Sequence, residues 1–411
     1  MRKIVLLTGI ASAAAAFAAI EPLSPVGDAS VALVPPVQKE VMNLPTLEER
    51  INLTKDKSNK RFQKDPLWRK SLPLVLSCRT TAGEKGPWKV VIGRKPDLSD
   101  ARVWYLQTAE IDTATGRECA GGVTQAVARI EVPRANLEIA SRYYWKVGCR
   151  GRCGFGCHPK HGCEASRHYA ETPVSSFVTE DFAPRWIAVE GDVKNFRDLG
   201  GRIGLGGRRV RQGLAYRGQG LNDNSVTGEE MGRNRLTMED AAYLTGRLGI
   251  RTDLDLRGTG EIADMKGSPL GASVKFIWHP SYGYKGIFTD DGKKVMAENF
   301  RVFCDRANYP IYFHCIGGAD RTGSLGYVLN GVLGVSRHEL ETDWESTFYP
   351  RIPDEHPDPE FWCRESHFNV GFSKYGDAST PWNDRIVLYL KDCGITDAEI
   401  EAFRKIMLED R

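Results

Sequence analysis

A thiol, a carboxylate, a guanidinium and a hydroxyl fall within one short string, His314-Cys315-Ile316-Gly317-Gly318-Ala319-Asp320-Arg321-Thr322-Gly323. Those residue types at that spacing suit phosphoryl transfer. A cysteine attacks as its thiolate, and amide donors or a nearby cation lower its pKa from about 8.5 to roughly 3.5–7.5. Arg321 can return across the loop and grip two phosphoryl oxygens with a planar fork, which Lys does less well. Asp320 is placed to protonate a leaving oxygen, an effect worth roughly 10²–10⁴-fold. The Thr322 hydroxyl can donate to the sulfur when the thiolate departs. Cys315, Asp320, Arg321 and Thr322 are therefore the candidate catalytic residues. Ile316, Gly317, Gly318 and Ala319, with Asp320 and Arg321, form the candidate phosphate cradle. This chemistry calls for no metal and no cofactor.

The flanking elements must hold that string in place. Residues 311–314 are a short apolar run that reads as a buried strand, and residues 324–333 read as a largely buried helix. A strand, a glycine-bearing loop and a helix N-terminus make an anion site, because free N–H groups and the helix dipole converge there. Upstream, residues 207–217 read as a hairpin with an outgoing strand. Residues 236–248 read as a helix with Thr237 as N-cap and Gly249 as its stop. Residues 250–256 and 274–278 read as strands, and residues 293–307 as a helix. Residues 279–291, with Tyr282, Tyr284 and Phe288 among glycines, suit a mobile lid. Residues 336–346 read as a helix with Ser336 and Glu339 in a capping box, and two more helices close the chain. Strands alternating with helices predict an α/β domain whose ligand site lies at the carboxyl ends of the strands.

The His-Cys, five residues, Arg, Thr pattern resembles the phosphate loop of the cysteine-based protein tyrosine phosphatases. Asn195-Phe-Arg-Asp-Leu-Gly-Gly201 resembles the opening signature of a bacterial, secreted, atypical branch of that family with lipid-active members. The resemblance implies that Cys315 is the nucleophile, Arg321 binds the phosphoryl group and Asp320 is the general acid. Asp255-Leu-Arg257 resembles an element that lies near the family's catalytic pocket, with Gly258 where Ser is usual. Arg257 then adds positive field or braces the loop against Glu261, and Asp255 competes with Asp320 as acid. His314, Arg257, Asp255 and Tyr282 are candidate pocket residues. Asp343-Trp344 resembles an Asp-aromatic pair on a family helix. Ala319 stands where this branch often carries Lys, which weakens a phosphoinositide reading.

The chain has 411 residues, and 56 Lys and Arg against 53 Asp and Glu leave a net charge of +3, too little for a nucleic-acid partner. Residues 1–19 read as a secretory signal peptide, basic and then Ala-rich, which predicts a periplasmic or secreted protein with no other membrane span. Residues 20–70 read as a linker with a short helix begun by Thr46. Residues 71–182 carry short strands separated by turn signals, which predict an all-β sandwich resembling a fibronectin type III module. Such a module would dock a protein or glycan ligand. Residues 149–163 insert Cys149, Cys153, Cys157 and Cys163. In an exported chain two disulfides are expected there, with a zinc site that includes His158 and His161 as the alternative. An oxidising compartment must leave Cys315 reduced, and Cys304 is a candidate for a protective disulfide with it. The catalytic domain spans residues 183–411. Three functional readings follow: hydrolysis of a phosphorylated protein or small phosphomonoester, phosphotyrosine first; hydrolysis of phosphoinositides or inositol phosphates; or a catalytically silent binding protein.

Overall fold

The computed structural model describes residues 20–55, 71–81, 86–113, 118–119, 123–150, 169–223, 233–262, 265–347 and 365–410. The chain divides into two compact units. The first takes its described residues from 20–30, 75–132 and 142–178, and the second from 31–55, 71–74, 133–141 and 179–410.

In the first unit, Leu74–Thr81 pairs with Glu21–Ser24 on one side and Val123–Val132 on the other, and Glu110–Asp112 completes that antiparallel row. A second antiparallel row runs through Ser175–Thr179, Arg142–Arg150, Trp88–Gly93 and Arg102–Leu106. Trp88 and Trp145 are fully buried, which accounts for the placement of large aromatics on these strands. The cysteine-rich insertion leaves and re-enters the sheet at a paired position, Arg150 opposite Tyr169. Cys149 is buried in its strand, whereas Cys153, Cys157 and Cys163, and with them the expected disulfides or zinc, lie outside the described residues. The expected signal peptide does too.

The second unit is an α/β fold. Its strands are β1 (Arg197–Asp198), β2 (Ala215–Gln219), β3 (Thr252–Asp255), β4 (Lys275–Trp278) and β5 (Ile311–Cys315). Their order is β1-β2-β5-β3-β4; β1 is antiparallel to β2, and the other neighbours are parallel. Thus β5, last in the chain, is inserted at the centre. All its residues are buried, which explains its unbroken apolar run. Successive side chains alternate faces. Ile311, Phe313 and Cys315 enter a core with Phe300, Phe303, Val328, Leu329 and Phe403. Tyr312 enters the opposite core with Phe196, Tyr216 and Leu244.

The helices are α1 (Pro36–Met42), α2 (Leu47–Lys55), α3 (Met238–Gly246), α4 (Asp290–Cys304), α5 (Asp320–Val332), α6 (Arg337–Glu345), α7 (Glu365–Phe372), α8 (Trp382–Asp392) and α9 (Asp397–Met407). Thr237 and Asp240 form the reciprocal cap of α3, and the Ser336 hydroxyl accepts from the Glu339 N–H at α6. Residues 20–70, expected as a linker, are folded over their described part. Val37, Val41 and Met42 of α1 are buried, and Thr46 and Glu49 cap α2 reciprocally. Arg50 of α2 is buried and bridges Glu345 at 2.7 Å and Glu341 at 2.8 Å on α6. The packing joins an apolar cluster around α1 to ion pairs between residues 291 and 295 positions apart, which no local pattern shows. Among the described residues no helix is long and apolar enough to cross a membrane.

The start of α5 also differs from expectation. It begins at Asp320 rather than Ser324, so Asp320, Arg321 and Thr322 occupy its first turn. Ala319 precedes it and offers no capping side chain. The start carries no N-cap signal, and that same lack leaves its N–H groups for a ligand.

Candidate active site

Cys315 ends β5 between the carboxyl ends of β2 and β3, with Gln219 as its register partner. The loop after it turns at Gly318, where φ is +67° and a Cβ would lie 2.3 Å from the Gly218 carbonyl oxygen. Only glycine passes there. Among the described residues, the N–H groups of residues 317–321 donate to no backbone carbonyl. Burial pushes the Cys315 thiol up, but the Arg321 charge and hydrogen bonds from the Thr322 side chain and N–H outweigh it, holding the thiol below its ordinary value. Thr322 Oγ1 is buried and has no oxygen or nitrogen partner, which leaves its hydroxyl to the sulfur.

Arg321 is turned over the loop rather than toward bulk water, with 17% of its side chain exposed. Both its terminal nitrogens donate to Glu261, Nη2 at 3.0 Å to Oε1 and Nη1 to Oε2. These bonds hold the Glu261 carboxyl below its usual range. A guanidinium has five N–H donors, so this bridge leaves others for a phosphoryl oxygen. Asp320 stands beside it, its Oδ1 accepting from the Tyr284 hydroxyl.

A buried polar frame braces the loop from below. The Asn195 side chain donates to the carbonyls of Gly317 and Gly318 at 3.1 and 3.0 Å, and Arg217 Nη2 donates to the latter at 3.0 Å. Arg197, Arg202 and Arg217 converge on Asp343 at 3.0, 3.1 and 2.6 Å. Burial pushes the Asp343 carboxyl up, but the three guanidiniums hold it far below the carboxylate range. Burial, with the Arg217 charge beside it, lowers Arg197 to about 9. Positive charge thus exceeds negative in this frame, and Arg217 also feels the Cys315 charge.

The candidate pocket residues separate into different places. His314 and Asp255 are fully buried behind the loop. His314 Nε2 lies 3.0 Å from Asp253 Oδ1, and Nδ1 lies 3.8 Å from Asp255 Oδ1. Burial pushes the imidazole down, but these two carboxylates hold it above its ordinary value. Arg257 donates from Nε to both Asp255 oxygens at 2.9 and 3.0 Å and from Nη2 at 2.5 Å. Burial raises Asp255, yet His314 and Arg257 hold it below the usual range, so it is a pinned carboxylate and no rival acid. Asp255 takes the Arg257 fork, and Glu261 pairs with Arg321 while also feeling the Arg257 charge. Tyr282 is 45% exposed, with its side chain beside Gly286. Tyr284 is the aromatic that reaches the loop. Cys304 Sγ lies 3.4 Å from the carbonyls of Phe300 and Glu399, so the structure does not bring it to Cys315. Sequence reasoning overlooked Glu261 as the partner of Arg321. Its one local signal is the cap it makes, three residues on, with the Gly258 N–H at 2.6 Å.

Residues 187–355 match the tyrosine phosphatase family model. A Cupriavidus necator protein named as a tyrosine-protein phosphatase is 26% identical over 202 residues, which is 41% of this chain and 67% of that protein. The solved core catalytic domain of the PP-IP phosphatase SIW14 from S. cerevisiae, in complex with citrate, is 17% identical, with 38% of this chain and 88% of that chain covered and a TM-score of 0.24. The matched span holds the Asn195 to Gly201 signature and the whole Cys315 loop, and the chain is a phosphoric monoester hydrolase.

Proposed function

We propose that the chain is an exported phosphatase that hydrolyses phosphotyrosine through a cysteinyl-phosphate intermediate. The Cys315 thiolate attacks phosphorus while the bond to the leaving oxygen breaks, and Asp320 gives that oxygen its proton. Water then attacks the cysteinyl phosphate, Asp320 takes a proton from it, and the thiolate departs with the Thr322 hydroxyl donating to it. The uncommitted N–H groups of residues 317–321, with Arg321, bind the phosphoryl oxygens as charge develops. The observation that carries this reading is the thiol held below its ordinary value at the mouth of a cradle of free N–H groups. An aromatic substrate is favoured by the exposed Tyr282, in the segment whose Gly283 lies on the loop, and by Ala319 in place of a cation. The Cys315→Ser protein should lose all turnover of an aryl phosphate while still binding vanadate; retained turnover would sink the mechanism. A panel of phosphotyrosine peptide against inositol phosphates tests the substrate, and faster turnover of inositol phosphates would overturn phosphotyrosine.

Export rests on the basic and then Ala-rich residues 1–19, and N-terminal sequencing of the mature chain tests it. The first unit's two antiparallel rows and buried tryptophans support a fibronectin type III-like module that docks a protein or glycan.

A further inference from the structure

The geometry points to Tyr284 as a positioning residue that fixes which oxygen of Asp320 carries the leaving-group proton. The inference rests on the proposed role of Asp320 as acid and adds a residue to it.

Tyr284 is tied to Asp320 at both ends. Its hydroxyl donates to Asp320 Oδ1. Its backbone N–H donates to Ser324 Oγ at 3.0 Å, and Ser324 Oγ donates to the Asp320 carbonyl at 2.8 Å. Tyr284 has φ of +52°, a conformation a bulky residue adopts only when its surroundings impose it. The preceding Gly283 lies flat on the catalytic loop, where a Cβ would come 3.2 Å from the Asp320 carbonyl carbon and 3.3 Å from the Arg321 nitrogen. The tyrosine ring meets Trp344 edge-on at 5.6 Å, and Trp344 in turn packs against Gly323. Tyr284 is thus held through its N–H, its ring and its hydroxyl, and the hydroxyl is spent on the acid.

The consequence is chemical. A protonated carboxyl has one proton and two oxygens. With Oδ1 already accepting from the phenol, Oδ2 carries the proton. As the sulfur–phosphorus bond forms and the ester bond breaks, that proton passes from Oδ2 to the leaving oxygen, and Asp320 becomes a carboxylate. The phenol keeps its own proton and strengthens its hydrogen bond to the new negative charge. In the second half Oδ2 takes a proton from the attacking water and the cycle closes. Tyr284 therefore matters most when the leaving group needs protonation.

The test is the full-length Tyr284→Phe protein, which keeps the ring against Trp344, with aryl phosphates of graded leaving-group acidity. Turnover of a weakly acidic phenol's ester should fall about tenfold or more, and that of a strongly acidic nitrophenol's ester should change little. Vanadate affinity and melting temperature should stay close to the parent's. Adding Asp320→Asn should abolish the extra effect of Tyr284→Phe. Tyr284→Leu, also apolar toward Trp344, must show the same split and stands in if the Phe variant does not fold. Equal slowing of all esters, or none, overturns the role of Tyr284 while leaving the Cys315 mechanism intact. An Asp320→Asn protein with no leaving-group dependence overturns it as well, whereas turnover by Cys315→Ser would overturn the parent mechanism instead.

Discussion

Cys315 is buried, and burial alone would make it a poor nucleophile. Arg321 and Thr322 reverse that, because a full positive charge and two hydrogen bonds at short range outweigh desolvation of a single sulfur. The sign of the shift sets a measurable outcome. Thiol alkylation needs the thiolate, so Cys315 should react with iodoacetamide at half its limiting rate below the ordinary thiol midpoint of about 8.5. In Thr322→Ala one stabilising donor is gone, and the midpoint should move up. An unchanged midpoint would assign the whole effect to Arg321 and the backbone.

At the level of the element, the loop works because its neighbours approach to backbone distance. Gly318 faces the Gly218 carbonyl of β2, and its left-handed φ leaves no room for a side chain. Gly318→Ala should lower stability by about 1–3 kcal/mol and abolish turnover, because β2 and the loop must separate. Denaturant midpoints and aryl-phosphate kinetics on one preparation check this; wild-type turnover in the variant would show that the cradle tolerates the shift. The α5 start is the related case. Without a capping side chain it is exposed as a helix end and available as an anion site, so the feature that blurs its boundary in the sequence is the feature the chemistry needs.

Across the whole second unit, Asp343 on α6 gathers Arg197 from β1, Arg217 from β2 and Arg202 from the connection between them. Removing its charge leaves three buried guanidiniums without their counterion. Asp343→Asn should therefore cost about 3–5 kcal/mol in urea denaturation at neutral pH. Asp343 has its folded pKa depressed, so its contribution is fully present above the unfolded value of about 3.9 and is lost as pH falls through the folded one. The gap between parent and variant should stay constant from neutral pH to about 5 and shrink in more acid solution. A gap that widens with acid would reject the counterion role.

The sequence by itself determined the local grammar of the fold and the chemistry. The apolar run of β5, the caps at Thr237 and Ser336 and the stop at Gly249 are written in neighbouring residues, and so is the Cys315 to Thr322 string. Periodicity and capping are short-range effects, so they are legible without a structure. Only the tertiary structure decided the partners that lie far apart in the chain. Glu261 lies 60 positions from Arg321, Tyr284 lies 36 from Asp320, and Asp343 lies 126 from Arg217. Side chains so far apart in the chain meet through sheet order and helix packing, which no local pattern encodes. For the same reason the buried contacts of His314 with Asp253 and Asp255 appear only in the folded chain.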